Sequence, residues 1–345
     1  MRVLVTGGAG FIGSHVSERL IQQGHEVAIV DELNDYYSPD LKTANLREIR
    51  EAGWFHFYKA DICDEVEMRR VFSTVRPEAV IHLAARAGVR PSLEQPLLYE
   101  AVNVRGTLVL LEQSRLHGVS KFLFASSSSV YGNEDQVPYS EDGSRNLPIS
   151  PYAATKLAGE KLCFTYSHLY GLAAVCLRFF TVYGPRQRPD LAIRKFTEAI
   201  DNGRPIPVFG DGSTSRDYTF VDDTVKGIIA ALSHDTQFDI FNLGNSSPVR
   251  LLDLIHAIER AVGKEALIRW LPEQPGDVQI TYADITKASR MLGYRPSTSI
   301  DQGLGIFVRW HRRRTSEQIS SAPIFPGLVA ASIGSEGATE IQRGS

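Results

Sequence analysis

A tyrosine and a lysine stand four residues apart in Tyr152-Ala153-Ala154-Thr155-Lys156, and upstream an apolar stretch closes on Ser126-Ser127-Ser128-Ser129. On a helix, positions i and i+4 share a face, so this spacing sets a phenol beside an ammonium. A free phenol titrates near ~10. A nearby positive charge favours the phenolate, so the Lys156 ammonium, with any cation bound beside it, is expected to poise Tyr152 as a base at neutral pH. A serine hydroxyl at the end of a strand can bridge a substrate hydroxyl to that phenol. The chemistry open to such a set is removal of an alcohol proton while hydride leaves the same carbon.

Hydride needs an acceptor, and the chain opens on a site for one. Gly7, Gly10 and Gly13 in GGAGFIG satisfy G-x-x-G-x-x-G and, shifted by one, G-x-G-x-x-G. Residues 3–5 form an apolar β-branched run, and residues 11–23 carry Ile12, Val16, Leu20 and Ile21 on one helical face, with Gly24 ending it. Between a strand and a helix, glycine permits a tight turn, close backbone approach to a pyrophosphate, and close packing of the two elements. The helix N-terminus then offers free N–H groups to phosphates. Asp31 closes a second apolar run at 27–30. Its carboxylate can accept from the adenosine ribose hydroxyls and would repel a 2′-phosphate, so NAD is the expected cofactor rather than NADP.

The elements that must hold these groups follow the same rhythm. Strands are expected at 55–58, 79–83, 122–125 and 173–179, and helices at 65–75, 95–117 and 152–170. Apolar strands alternating with helices indicate an α/β fold, a Rossmann doubly wound parallel sheet covered on both faces. After residue 180 come Gly- and Pro-rich loops, VYGPRQRPD and GRPIPVFGDGSTSRDY, with helices expected at 191–202, 222–233 and 250–262 and a return strand at 238–243. The expected division is a dinucleotide-binding domain over 1–180 with a return segment near 218–245. A smaller C-terminal α/β substrate lobe then takes 181–217 and 246–313. The Ser-, Gly- and Ala-rich stretch 315–345 reads as a flexible tail.

Composition narrows the function. The chain has 345 residues, a formal net charge of −3 and 43% hydrophobic residues, enough for a sizeable core without a basic tract for nucleic acid. The short cluster 309–314 reads as a solvated helix end. Cys63, Cys163 and Cys176 lack metal-ligand spacing and suit a reducing compartment. No signal peptide opens the sequence, and no apolar stretch approaches the ~20 residues of a membrane span. A soluble cytoplasmic protein is expected. His15 and His82 read as packing or hydrogen-bonding residues, and Asp222-Asp223 reads as a helix cap rather than a metal pair.

Taken together, GGAGFIG, Asp31, Asp61-Ile62, His82-Leu83-Ala84-Ala85, Asn103, SSSSVYG, YAATK, RFFTVYGP and GDGSTSRDYTFVDD resemble the extended short-chain dehydrogenase/reductase family, in its nucleotide-sugar epimerase branch. The resemblance covers about residues 1–313. It implies a tightly held NAD and a nucleoside-diphosphate sugar as substrate. It places Asp61 and Ile62 by the adenine, Leu83, Ala84, Ala85 and Asn103 near the cofactor, and Lys156 also on the nicotinamide ribose. Phe11 and Ile12 belong to the dinucleotide loop. Ser127 aligns with the family's catalytic Ser/Thr, Arg216 with the diphosphate-contacting arginine, and Asp277 with a uridine-side element whose usual preceding Arg is missing here. The resemblance also implies a homodimer through the helices near 95–117 and 150–170.

Members of this branch share oxidation of the sugar C4 and diverge afterwards. The family's 4,6-dehydratases carry Asp-Glu directly after the catalytic Thr, and its uronate decarboxylases a Glu at the second of these places. Here they are Ser128 and Ser129, which supply no acid or base. The remaining fate of a 4-ketone is to turn over and take hydride back on its other face, which is 4-epimerisation. The segments AGVRPS, FTVYGP and RPD resemble UDP-glucuronate 4-epimerases more than UDP-glucose ones. A C6 carboxylate needs donors when it leaves water; Ser127, Ser128, Ser129 and Thr181 can offer hydroxyls, and Arg90 and Arg188 cationic groups. UDP-glucuronate is therefore the expected substrate. UDP-glucose or UDP-N-acetylglucosamine epimerisation, and a non-catalytic NAD-binding regulator, are the alternatives.

Overall fold

The computed structural model describes residues 1–273 and 278–320, with side chains to residue 315. Its strands are β1 (Arg2–Thr6), β2 (Glu26–Val30), β3 (His56–Tyr58), β4 (Ala79–His82), β5 (Lys121–Ser127), β6 (Ala173–Phe179), β7 (Thr181–Tyr183), β8 (Ile206–Phe209), β9 (Ser215–Phe220), β10 (Phe238–Leu243), β11 (Pro248–Arg250) and β12 (Ile268–Leu271). Seven of them form a parallel sheet in the order β10-β6-β5-β4-β1-β2-β3.

The sheet is buried on both faces because its strands are built around continuous apolar runs, with alternate side chains feeding different layers. Val3 and Val5 of β1 join one core cluster and Leu4 the other; in β6, Val175 and Leu177 divide from Ala174 and Cys176 in the same way. Chain order reverses between β1 and β4, the switch point where open α/β sheets bind ligands at their C-terminal edge.

The helices are α1 (Phe11–Gln22), α2 (Pro39–Ala52), α3 (Glu65–Val75), α4 (Val89–Glu94), α5 (Pro96–Glu100), α6 (Gly106–Leu116), α7 (Pro151–Tyr170), α8 (Ala192–Asp201), α9 (Val221–Leu232), α10 (Leu251–Val262), α11 (Thr286–Leu292) and α12 (Ile300–Ser320). The sequence reading lacks α2, which Pro39 opens at its first turn and which buries Leu46 and Ile49. The single helix expected over 95–117 is in fact broken. A π-helical turn over Ala101–Arg105 separates α5 from α6, and Asn103 is buried within it. None of the helices among the described residues is long and apolar enough to cross a membrane.

Beyond β6, two segments expected as loops contain strands. In GRPIPVFG, Ile206 and Val208 are buried on one side of β8, a four-residue alternation that its Gly and Pro neighbours conceal. A three-stranded sheet, β11-β9-β7, forms beside it. The core cluster under α1 continues without a break through Val225 and Ile228 of α9 to Ile193 and Phe196 of α8, Leu254 and Ile258 of α10, and Leu304 and Phe307 of α12. Helix α12 runs to Ser320, past residue 314 where ordered chain was expected to stop; residues 321–345 lie outside the described part. The arginines of 309–314 are more than a solvated helix end, since Arg312 pairs with Asp201 and Arg314 with Glu48. Asp223 is buried and accepts from the backbone N–H of Ser297 and Thr298, tying that segment to α9; the cap residue of the helix is Phe220.

Helix α7 is the long element that carries the tyrosine. The Ser150 side chain caps it by accepting from the Ala153 N–H, Pro151 opens it, and Gly171 ends it in a left-handed conformation. It lies against β5 because Gly159 has no side chain: a Cβ there would stand 2.2 Å from Phe124 Cζ. Gly159→Ala is expected to push α7 off the sheet and cost about 1–3 kcal/mol, the range of an overpacked core. Denaturant unfolding checks this, and a wild-type midpoint would refute it.

Candidate active site

A cavity of about 480 Å³ opens along the C-terminal edge of the sheet. Gly7, Gly10, Phe11, Ile12 and Gly13 line it from the β1–α1 turn, and Asp31 from the end of β2. Asp61, Ile62, Leu83, Ala84 and Ala85 line it from the segments after β3 and β4. Ser127, Ser128, Ser129, Tyr152, Lys156, Thr181 and Arg188 line the other end. The chain thus brings residues that are far apart in sequence to one groove.

The glycine turn is shaped for a ligand's backbone approach. Gly7 has φ +70°, and a Cβ on it would stand 2.7 Å from the Ala84 nitrogen. A Cβ on Gly13 would stand 2.1 Å from the Gly7 carbonyl oxygen. Gly10 caps α1 with no side-chain hydrogen bond, so the first N–H groups of the helix are left to face the cavity. At the far end, Asp31 accepts from the Ala9 and Leu33 N–H groups at 3.2 and 2.9 Å, and the Lys42 ammonium lies 3.8 Å from it. Burial pushes the Asp31 carboxyl up while Lys42 and these two N–H groups pull it down. A bare cradle at a helix N-terminus with a carboxylate at the ribose end fits an adenine dinucleotide.

At the reactive end, Lys156 is buried and Tyr152 half-buried on the cavity side of α7. The Lys156 ammonium donates to the Ala125 carbonyl oxygen at 2.7 Å, and burial pushes it down to about 8. Burial pushes the Tyr152 phenol up; a hydrogen bond with Ser127 and the Arg188 guanidinium pull the other way. The expected poising of Tyr152 by Lys156 is therefore not what the protein side chains supply. The ammonium is turned to the β5 backbone, and the cation acting on the phenol is Arg188. Ser127 Oγ donates to Ser129 Oγ at 3.1 Å and accepts from the Ser129 N–H at 3.2 Å, which folds the serine run into one short turn after β5.

Three expected site residues lie outside the cavity lining. Asn103 does not line the cavity: its side chain accepts from the Arg86 N–H and donates to the Arg86 carbonyl and to Thr155, fastening the loop after β4 to α7. Arg90 packs its guanidinium 5.3 Å from the Phe209 ring centroid, outside the lining. Arg216 Nη1 donates to the Ser215 carbonyl oxygen at 2.9 Å, also outside it. Asp277 lies outside the described residues. His15 hydrogen-bonds the Pro185 carbonyl, and His82 sits between Thr6 and Thr107; burial pushes both down to about 3, so they are neutral spacers.

Several lining residues escaped the sequence reading. Lys42 and Tyr37 come from α2 and the loop before it, and no local pattern ties them to Asp31. Tyr36 and Tyr99 both donate to the Ala87 carbonyl oxygen, and the Tyr99 ring stands edge-on to Tyr152 at 6.2 Å. Arg86 pairs with Glu32 at 3.5 Å; it directly follows Leu83-Ala84-Ala85, and a cation placed just after a buried strand was the available signal.

Comparison with known proteins covers nearly the whole described chain. A family model described as GDP-mannose 4,6 dehydratase matches residues 4–306. A UDP-glucuronate 4-epimerase from Thermodesulfobacterium geofontis is 45% identical over 310 residues, covering 90% of this chain and 95% of that protein. The crystal structure of UDP-glucuronic acid 4-epimerase from Bacillus cereus, in complex with UDP-glucuronic acid and NAD, superposes with a TM-score of 0.86 at 36% identity, covering 91% of this chain and all of that one. A UDP-glucose 4-epimerase from Thermotoga maritima, crystallised with UDP-glucose, superposes with a TM-score of 0.85 at 37% identity over 91% of this chain and all of that one.

Proposed function

The chain belongs to the GDP-mannose 4,6-dehydratase family, and from that premise we infer that it is an NAD-dependent isomerase that inverts C4 of a UDP-sugar, with UDP-glucuronate as substrate and UDP-galacturonate as product. The observation that carries the reading is the convergence of the bare glycine cradle, Tyr152 and the hydroxyl cluster Ser127–Ser129 with Thr181 on one cavity, with no carboxylate following Ser127. Held by Gly7, Gly10, Gly13 and Asp31, NAD would supply a reversible hydride acceptor for the sugar C4.

The chain's own residues do the rest. Tyr152 takes the O4 proton as a general base and gives it back, with Ser127 holding the hydroxyl in line. Lys156, fixed by Ala125, contributes to the ribose site and to the cationic surroundings. Burial sets the phenol high in the protein alone, so ionisation of Tyr152 depends on positive charge brought into the cavity. Ser128 and Ser129 stand where a dehydratase of this family carries its acids, which leaves the ketone no elimination route. We assign the C6 carboxylate to Ser128, Ser129 and Thr181, with Arg188 beside them. Arg216 and Asp277 are proposed for the nucleotide end of the substrate, and Arg90, packed on Phe209, is not assigned to the carboxylate.

Incubation with UDP-glucuronate and NMR of the product tests the reading. UDP-galacturonate is the expected product. UDP-pentose, or turnover of UDP-glucose with UDP-glucuronate untouched, would refute the uronate assignment.

We further propose a homodimer through α6 and α7, which pack side by side and leave Leu108, Leu116, Phe164 and Leu169 exposed. Light scattering should return twice the chain's 38.2 kDa, and a monomeric mass would exclude it. The three thiols are free, which supports the proposed cytoplasmic setting; fractionation of cells would check it.

A further inference from the structure

Helix α7 buries a second charged residue besides Lys156. Glu160 lies one turn past Lys156 and is 1% exposed. It takes no part in the chemistry described above. Its carboxylate accepts Ser126 Oγ at 2.5 Å and is gripped by Arg178 of β6, with Nε to Oε1 and Nη2 to Oε2 both at 2.9 Å. A bidentate pair of this kind fixes orientation as well as distance. The same guanidinium lies 4.7 Å from the Tyr131 ring centroid, and the Tyr131 hydroxyl donates to Asn242 Oδ1 of β10 at 2.7 Å.

These contacts bracket the serine turn. Ser126 stands immediately before Ser127, and Tyr131 closes the turn two residues after Ser129. On α7, Lys156 holds the Ala125 carbonyl and Glu160 holds the neighbouring Ser126 hydroxyl. The helix that carries the base is thereby fastened to the strand that carries the hydroxyls, at two consecutive positions. A buried ion pair is weak evidence for stability, because its desolvation offsets its attraction. Its geometric effect is the more telling one.

We propose that Glu160 and Arg178 are positioning residues: their buried pair, acting through Ser126 and Tyr131, sets Ser127, Ser128 and Ser129 against Tyr152 and so governs both the rate and the fate of the 4-keto intermediate. The inference rests on the reading of the substrate as UDP-glucuronate. A 4-keto uronate is a β-keto acid. When its C5–carboxylate bond lines up with the carbonyl π system, that bond breaks, CO₂ leaves, and the electron pair passes into an enolate that takes a proton from water at C5. Hydride return to the resulting 4-ketopentose then yields UDP-pentose. Hydroxyls that hold the carboxylate away from that alignment suppress the loss, provided that their own turn is held still.

The test uses full-length Ser126→Ala and the double variant Glu160→Leu with Arg178→Met, in which apolar groups replace the pair and leave no unpaired charge. The readouts are kcat and KM separately, melting temperature, bound dinucleotide, and the fraction of UDP-pentose formed from UDP-glucuronate. Expected for the double variant are a melting temperature near wild type, bound dinucleotide, kcat lower by about tenfold or more with KM within about threefold, and UDP-pentose among the products. Ser126→Ala should lose about fivefold in kcat in the same sense. A folded double variant with wild-type kcat and product ratio would overturn the proposal, and if that variant does not fold, Ser126→Ala with wild-type values overturns it. If the wild-type enzyme leaves UDP-glucuronate untouched, the substrate reading has failed instead; the positioning claim is then decided by kcat on the UDP-hexose that the enzyme does turn over.

Discussion

Tyr152→Phe is expected to reduce epimerisation by about 10³-fold or more, within the reach of a lost general acid–base group, while dinucleotide and sugar nucleotide remain bound. The ring stands edge-on to Tyr99 at 6.2 Å, so phenylalanine keeps the packing and removes the hydroxyl alone. The effect belongs on kcat, because the lost contact with the O4 proton matters most as the C4–H bond breaks. Product formation by NMR and the 260/280 nm absorbance ratio of the purified variant separate chemistry from binding. Turnover within tenfold of wild type would exclude Tyr152 as the base. Loss of bound dinucleotide would mean instead that the phenol serves chiefly to hold it.

The second large effect is expected at Gly13. A Cβ there would meet the Gly7 carbonyl oxygen at 2.1 Å, the Gly7 carbonyl carbon at 2.8 Å and the Gly8 Cα at 2.8 Å. All three are backbone atoms of the turn itself, so no side chain can yield. Gly13→Ala must lift α1 off the turn, losing the close approach on which the cradle depends. Purified Gly13→Ala is expected to carry no dinucleotide, show no activity, and melt well below wild type, with a loss of about 3 kcal/mol or more by the measure of severe overpacking. Gly24→Ala is the control. Gly24 has positive φ, at +79°, yet nothing stands within 4 Å of its Cβ position, so Gly24→Ala should cost only about 1 kcal/mol of backbone strain and keep its dinucleotide. A Gly13→Ala protein with bound dinucleotide and an unchanged melting temperature would show that the turn has slack which the geometry denies.

Much of this site was legible before the fold because its signals are local. Gly7, Gly10 and Gly13 announce a turn between a strand and a helix, and Tyr152 and Lys156 share a face by spacing alone; the structure sets all five on one cavity. What stayed hidden depends on long-range meetings. Asn103 looked like a cofactor contact, yet a π-helical turn rotates it onto the Arg86 backbone and Thr155. Lys42 reaches Asp31 only because α2 folds back over the glycine turn. The direction in which Tyr152 is pushed was also out of reach. It depends on where the Lys156 ammonium is turned and on how much water the fold removes from around the phenol, and a one-dimensional pattern carries neither. Strand β8 is short and sits between Pro205 and Gly210, and β11 is only Pro248–Arg250, so their alternation spans too few residues to stand out.

The unbroken apolar cluster that runs from α1 through α9 into α8, α10 and α12 has a bearing on how sugar enters. Two bodies that swing apart need a seam across which little grease is shared, and this molecule has none on that side. Admission and release must then fall to small movements at the rim, where the Arg188 guanidinium lies 5.6 Å from the Tyr36 ring centroid. The half-turn of the ketone takes place inside walls that stay put, so a freed intermediate finds the exit narrow and the returning hydride close at hand.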